Sequence, residues 1–259
     1  MITKTIIDKI RKHGIVGSAK MAFNPVARKF FGFEIKRISS GGGYISAQKT
    51  VKDANIAGLS VGDYVEKMWG IEGGSKYVIE KMNLANIFDK PNVKIVEIGA
   101  GTGRYMEKVI DLYAASNIAR YESYETAMDW IEYLNRTYPM IISHQADGLS
   151  LRQTEDKSID LVHAHGVFVY TPFITTIRYL FEIFRVIKCG GYAVFDCFVE
   201  DCFSEEYLNK WITSGHNFPC IIPEEYLVNL FKVAGLTMIL SFHKPYDVAV
   251  SKYFIFERI

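Results

Sequence analysis

Residues 93–104 read Val93-Lys94-Ile95-Val96-Glu97-Ile98-Gly99-Ala100-Gly101-Thr102-Gly103-Arg104. An apolar run of strand length enters three glycines at alternate positions, and a helical pattern follows. Glycines spaced this way let the backbone approach a ligand closely, and the next helix offers free N–H groups. A dinucleotide fingerprint, G-x-G-x-x-G, would place its third glycine where Arg104 stands, a residue that cannot give close helix–strand packing. Glu97, at the end of the strand, would repel a pyrophosphate and attract a cation.

Downstream of this stretch, short apolar runs alternate with helical ones. The expected strands are Lys94–Ile98, Ala119–Tyr124, Met140–Gln145, Ile159–His165 and Tyr192–Phe198, an alternation that marks a parallel sheet with helices on both faces. Leu236–Phe242 and Tyr253–Glu257 break the rhythm. The turn expected around Pro245 is too short for a crossover, so these last two strands must pair antiparallel.

With these elements in place, the chain from Val93 resembles a class I S-adenosylmethionine-dependent methyltransferase. Glu97-Ile-Gly99-Ala-Gly101-Thr-Gly103 resembles that family's first motif. Glu125 matches the acid that holds the ribose hydroxyls, with Glu122 as its competitor under a shift of register. Ala146-Asp147-Gly148 matches the adenine-contacting acid, Lys157-Ser-Ile-Asp160-Leu-Val-His-Ala-His165 the fourth-strand motif, and Val186-Ile-Lys-Cys189-Gly190-Gly191 the turn into the fifth strand. Cys189 stands where the family often has proline. Pro223-Glu-Glu-Tyr to Ala234-Gly235-Leu236 resembles the last helix before the hairpin.

The resemblance implies a doubly wound, seven-stranded, mostly parallel α/β sheet of Rossmann-like methyltransferase type, with an antiparallel C-terminal hairpin and an N-terminal helical cap. It implies S-adenosyl-L-methionine as cofactor, held by Glu97, Gly99, Ala100, Gly101, Thr102, Gly103, Glu125, Asp147, Gly148 and His165. Upstream, Tyr64 and Trp69 resemble the aromatic lid residues of many small-molecule methyltransferases, where a ring face can attract a sulfonium; packing in the cap is the other reading of both.

In an open α/β sheet the ligand lies over the carboxyl ends of the strands. His163 and His165 share a face of the fourth strand, with His165 nearer that end. A hydroxyl acceptor must lose a proton, for which histidine is the natural base. His165 is therefore the candidate base or acceptor-positioning residue. Asp196 and His216 are further catalytic candidates, with Tyr170 and Glu200 weaker, and the segment Trp211–Pro219 is a candidate lid.

Residues 1–37 carry nine Lys and Arg against Asp8 and Glu34, a charge of +7, so the rest of a chain of net charge +1 carries −6. Ile2, Ile6, Ile7 and Ile10 at helical spacing make the start an amphipathic basic helix. Such a face could rest on an anionic membrane or a phosphorylated carrier, or simply face water. Ser39–Gly43 reads as a flexible joint, and helices are expected over Val61–Trp69 and Tyr77–Ile87. The organisation is thus 1–38 as a basic arm, 39–92 as a cap and 93–259 as the cofactor-binding domain.

At 259 residues with 49% hydrophobic and 23% charged content, the chain is an ordinary folded globule, and its 16 Tyr and 17 Phe favour a well-filled core. Cys189, Cys197, Cys202 and Cys220 lack metal-ligand spacing and read as reduced and mostly buried, with no metal. No apolar run reaches the ~20 residues of a membrane span. Without a cleavable leader the chain is expected in the cytoplasm, with residues 1–37 a candidate for peripheral contact with the inner face of the membrane.

The late insertion and the jointed arm suggest a small-molecule acceptor. The general look is similar to methyltransferases of bacterial surface-polysaccharide pathways, which implies O-methylation of a sugar or a carrier-linked glycan. Nucleic acid is not an expected partner, because the basic residues sit in one arm and an Asn/Asp-Pro-Pro-aromatic motif is lacking. An NAD(P)-dependent oxidoreductase and a non-catalytic S-adenosylmethionine-binding module are the alternatives, and the oligomeric state stays open.

Overall fold

The computed structural model describes residues 44–113, 115–214, 220–246 and 249–259. The described residues form one compact unit; residues 1–43, with the basic helix expected there, lie outside them. Three helices come first, α1 (Ala47–Ala57), α2 (Val61–Trp69) and α3 (Gly74–Asn83). Ser60 caps α2 by accepting from the Asp63 amide at 3.1 Å, and Gly70 ends it in the left-handed region at φ 66°. The helix expected over Tyr77–Ile87 starts and stops earlier, and Asn86 takes a left-handed turn after it.

The alternating part follows as β1 (Val93–Ile98), α4 (Arg104–Tyr113), β2 (Ile118–Glu125), α5 (Met128–Thr137), β3 (Ile141–Gln145), β4 (Ile159–Ala164), α6 (Phe173–Val186), β5 (Ile187–Cys197), α7 (Glu205–Ser214), α8 (Glu224–Val233), β6 (Leu236–Tyr246) and β7 (Ala249–Arg258). The seven-stranded sheet has the order β3-β2-β1-β4-β5-β7-β6, parallel except that β7 runs against both β5 and β6. The order reverses between β1 and β4, so the crevice lies over the carboxyl ends of those two strands.

Two details differ from the sequence reading. β5 begins at Ile187, but its register on β4 jumps from Ile159↔Ile187 to Leu161↔Tyr192, so Lys188–Gly191 bulge out with Gly190 at φ 71°. The hairpin is longer than expected: Pro245 lies inside β6 opposite Val250, and the turn comes after Tyr246. Proline is tolerated there because β6 is the edge strand, whose outer N–H groups have no ladder partner.

Side-chain alternation splits the core into two layers. Ile95, Tyr121, Leu161, Val194, Tyr253 and Ile255 meet the apolar residues of α1 to α5 on one face. Val96, Tyr124, Val162, Phe195, Phe254 and Phe256 meet α6 and α8 on the other. Phe231 of α8 stacks on Phe256 at 3.9 Å between ring centres, which is where part of the high aromatic content goes. Cys197, Cys202 and Cys220 are buried, Cys189 is exposed, and all four are free thiols. Among the described residues no helix is long and apolar enough to cross a membrane.

Candidate functional site

The glycine loop is built by three positive backbone angles: φ is 69° at Gly99, 52° at Gly101 and 76° at Gly103. A methyl group on Gly99 would stand 2.5 Å from Val167 Cγ2, and one on Gly103 would stand 2.8 Å from Leu134 Cδ2. These two glycines are needed by the protein's own packing. Gly101 is different, since a methyl there meets nothing closer than the Gly99 carbonyl at 4.0 Å. Its open side is where a ligand can approach the backbone. Ala100 and Thr102 between them are buried.

Glu125 reaches this loop from the end of β2. Its Oε2 accepts from the Gly101 amide at 2.8 Å, while Oε1 accepts from the Thr126 and Ala127 amides at 2.7 and 2.9 Å. Oε2 keeps a lone pair beyond its bond to Gly101, the acceptor a ribose hydroxyl needs. Glu122 points to the opposite face, where Thr154 Oγ1 donates to it at 2.7 Å and Arg120 and His144 adjoin it. The structure thus brings Glu125, and not its competitor, to the loop.

Asp147 is more committed than the sequence implied. It accepts from the Leu149 and Ser150 amides and from Ser150 Oγ, each at 2.8 Å, and pairs with Arg152. These four contacts use the four lone-pair sites of a carboxylate and hold its pKa far below the usual range. These contacts shape the turn after β3; Gly148, at φ 77° with open space beyond its Cα, is the free backbone there.

Beneath the loop lies a buried chain of polar groups. Tyr121 Oη donates to Glu97 Oε2 at 2.7 Å, and the same oxygen lies 2.9 Å from His163 Nε2. His163 Nδ1 lies 2.9 Å from His165 Nε2. Tyr121 donates to Glu97 Oε2, an oxygen that stays an acceptor when the carboxyl proton sits on Oε1. In that arrangement His163 donates from Nε2 and accepts at Nδ1, and His165 donates from Nε2 and keeps its own Nδ1 as an acceptor. That Nδ1 is buried without a hydrogen-bond partner.

Burial, then His163, Arg104 and Lys244, hold the His165 pKa well below the ordinary value, and burial takes His163 down to about 3. Both rings are therefore neutral near pH 7. Burial also raises Glu97 to about 8, against the lowering effect of the Tyr121 hydrogen bond. His165 lies one residue past β4 and stacks on Tyr105 of α4, 3.8 Å between ring centres.

The remaining candidates divide. Asp196, buried, accepts from the Gly166 amide at 2.7 Å and from Ser251 Oγ at 2.8 Å. It fixes the backbone just after His165, so its buried carboxylate is committed to the sheet rather than presented to solvent. Glu200 accepts from the Glu224 amide at the start of α8. His216 lies outside the described residues. Tyr64 is half-buried against the cap core. Trp69 is half-exposed, and its ring already holds a cation, with Arg104 Cζ 5.3 Å from the ring centre.

Sequence reading missed Arg104 and Lys244. The first was taken only as a failed glycine slot. The second lies on the edge strand, in no motif. A cluster of Asp201, Cys202 and His243 has metal-ligand proximity, but Lys252 Nζ sits 2.6 Å from Asp201 and already supplies a cation there.

The residues present fit S-adenosylmethionine: an open Gly101, a ribose acceptor in Glu125, and orphaned buried atoms beside the crevice. Comparison with known proteins agrees. Residues 96–195 match a family described as "Methyltransferase domain". No curated protein was found to match in sequence. Similar solved structures include a protein described as a sarcosine dimethylglycine methyltransferase from Galdieria sulphuraria, with 13% identity, 71% of this chain and 83% of that one covered, and TM-score 0.54. A methyltransferase from Methanosarcina mazei matches with 15% identity, coverage of 68% and 97%, and TM-score 0.51. Geranyl diphosphate C-methyltransferase from Streptomyces coelicolor, solved with S-adenosyl-L-homocysteine, matches with 11% identity, coverage of 70% and 77%, and TM-score 0.53. At these identities the likeness is one of fold.

Proposed function

We propose that this chain, whose residues 96–195 match a methyltransferase domain, uses S-adenosylmethionine to methylate a hydroxyl group of a small molecule, with a sugar or glycan intermediate as the acceptor class. The observation that carries the reading is the unpartnered Nδ1 of His165. Buried nitrogens are rarely left unpaired, so an orphan at the carboxyl end of β4 suits an incoming hydroxyl.

When bound, S-adenosylmethionine supplies a methyl group on a positively charged sulfur. The chain's own residues do the rest. Gly101 gives the ligand access to the loop backbone, and Glu125 Oε2 accepts from ribose hydroxyls. His165 Nδ1 accepts the acceptor's hydroxyl proton, while His163 and Tyr121 hold its tautomer through the bonds at 2.9 Å. Asp196 keeps the chain after His165 in place. Positioning supplies much of the rate in an in-line displacement, and a positioned base typically adds ~10²–10⁴-fold.

The sugar class rests on the sequence alone, a short basic arm leading into the core and an aromatic last strand over 251–257, a pattern similar to methyltransferases of polysaccharide pathways. The Galdieria and Streptomyces proteins are likewise named for small molecules. The basic arm, if it meets a membrane or a phosphorylated carrier, would bring a carrier-linked acceptor to the site. The test is incubation of the full chain with S-adenosylmethionine and a panel of free, phosphorylated and lipid-linked sugars, reading S-adenosylhomocysteine release and the mass and methyl NMR shift of products. An O-methyl sugar supports the reading. Turnover confined to amines or carbon acids would overturn the hydroxyl assignment.

A further inference from the structure

Under the cap, two buried cations lack a hydrogen-bonded counter-charge, although Glu66 and Glu97 lie near Arg104 and Asp196 near Lys244. Arg104, the first residue of α4, has a side chain 13% exposed. Its nearest acid is Glu66 Oε1 at 3.7 Å, longer than a hydrogen bond, and its Nη1 is buried without a hydrogen-bond partner. Trp69 and Tyr105 flank the guanidinium, with ring centres 5.3 and 4.7 Å from Cζ. Lys244, near the end of β6, is 7% exposed and has no ion pair within 4.0 Å among the described residues. A methyl group on Gly74 would stand 3.5 Å from Lys244 Nζ and 3.8 Å from Glu66 Oε1, so the two cations face the same carboxylate.

That carboxylate is already engaged. Glu66 Oε1 accepts from the Ser75 amide at 2.7 Å and so caps the start of α3. The Ser75 hydroxyl beside it is buried and unpartnered too. Ser75 and Arg104 thus both adjoin Glu66, and His165 stacks on Tyr105, whose ring flanks Arg104; each of the three residues carries an orphaned buried atom. Buried lysine and arginine are almost never left unpaired, because removing a charge from water costs several kcal/mol without a counter-charge.

We infer that Arg104 and Lys244 form a binding site for an oxyanion, a carboxylate or phosphate, placed beside His165. The inference rests on the methyltransferase reading of the same site and adds to it the charge of the ligand. A planar guanidinium recognises either group through paired N–H donors, and a lysine adds a point charge. The oxyanion belongs either to the amino-acid end of the cofactor or to an acidic acceptor. In both cases its arrival offsets the two charges that, with burial and His163, suppress protonation of His165. Glu66, Glu97, Asp196, Tyr105, Tyr246 and Tyr253 are the other titratable groups facing this cluster. Oxyanion binding therefore raises the basicity of His165 when the site is filled.

Calorimetry on the full chain separates the sources. S-adenosylhomocysteine, 5′-deoxy-5′-methylthioadenosine, which lacks the amino-acid end, and inorganic phosphate added to the S-adenosylhomocysteine complex are titrated into wild type, Arg104→Gln and Lys244→Gln. For a cofactor carboxylate, each variant weakens S-adenosylhomocysteine by ~10-fold or more, the size of a lost charge-assisted hydrogen bond, and leaves methylthioadenosine unchanged. For an acidic acceptor, phosphate binds the wild-type complex and is weakened ~10-fold in the variants, with both nucleosides unchanged.

The inference is overturned if no ligand distinguishes the variants, or if both nucleosides weaken together. Should the variants not fold, wild type decides: S-adenosylhomocysteine no tighter than methylthioadenosine, together with no phosphate binding, overturns it. Failure of wild type to bind any nucleoside would instead overturn the methyltransferase reading beneath it.

Discussion

His165 Nε2 lies 2.9 Å from His163 Nδ1, and His163 Nε2 lies 2.9 Å from the Tyr121 oxygen, whose proton goes to Glu97. With Tyr121 donating to Glu97 Oε2, each donor in this series is set by the one before it. The consequence is a neutral His165 that presents Nδ1 as its free acceptor, at the end of the strand where an acceptor hydroxyl would be activated.

The tautomer can be read directly. In ¹⁵N NMR spectra near pH 7, His165 Nδ1 should resonate as an unprotonated ring nitrogen and Nε2 as a protonated one. His163→Phe should remove this preference by deleting the acceptor at Nδ1. A wild-type spectrum with the proton on His165 Nδ1 would sink the assignment.

The loop glycines should fail in different ways. Gly99→Ala puts a methyl 2.5 Å from Val167 Cγ2 at a positive φ, so a loss of ~2–4 kcal/mol in unfolding free energy is expected from strain and overpacking. Gly101→Ala meets no protein atom closer than 4.0 Å, so it should lose only ~1–2 kcal/mol from its φ. Its S-adenosylhomocysteine affinity should nonetheless fall by ~10-fold or more, as the methyl occupies the ligand's approach. Equal stability losses with unchanged affinity would contradict both assignments.

Glu125 and Glu122 offer a paired test. Glu125→Ala removes the acceptor of the Gly101, Thr126 and Ala127 amides and should weaken S-adenosylhomocysteine by ~10–100-fold. Glu122→Gln, on the opposite face, should leave that affinity within twofold. Calorimetry that reverses the order would hand the ribose role to Glu122.

Glu97 sets a pH slope. Burial raises its folded value to about 8, so between its unfolded value near ~4.3 and pH 8 the folded chain holds a proton the unfolded chain has released. Stability from this group is present at low pH and is lost as pH rises through 8. His163, lowered to about 3, acts oppositely between pH 3 and its unfolded value of ~6.5, since there the unfolded chain binds the extra proton. Below pH ~6.5 His163, joined by the likewise lowered His165, opposes Glu97. From there to pH 8, denaturant unfolding of the ligand-free protein should show stability falling by up to ~1.4 kcal/mol per pH unit, and Glu97→Gln should flatten the slope. A wild-type curve that rises over this window would contradict the account.

Much of this was legible in the sequence because it is local. β1, the glycine loop and the strands after it announce themselves by apolar runs and spacing. Glu125 could not be separated from Glu122 by pattern alone; three residues apart on a strand, they face opposite sides, and only the register against the loop chooses. The 2.9 Å bond between His163 and His165 needed rotamers, not spacing. Arg104 and Lys244 lie 140 positions apart, and their shared neighbour Glu66 comes from the cap, so no motif could join them. Pro245 misled because a proline on an edge strand carries the same local signal as one in a turn.

The central claim, that His165 removes the acceptor's proton, is tested by the turnover of His165→Gln. With any sugar that wild type methylates, transfer from ¹³C-methyl-labelled S-adenosylmethionine should fall by ~10²–10⁴-fold in kcat while S-adenosylhomocysteine affinity stays within a few-fold. Turnover equal to wild type, at equal cofactor affinity, would contradict it.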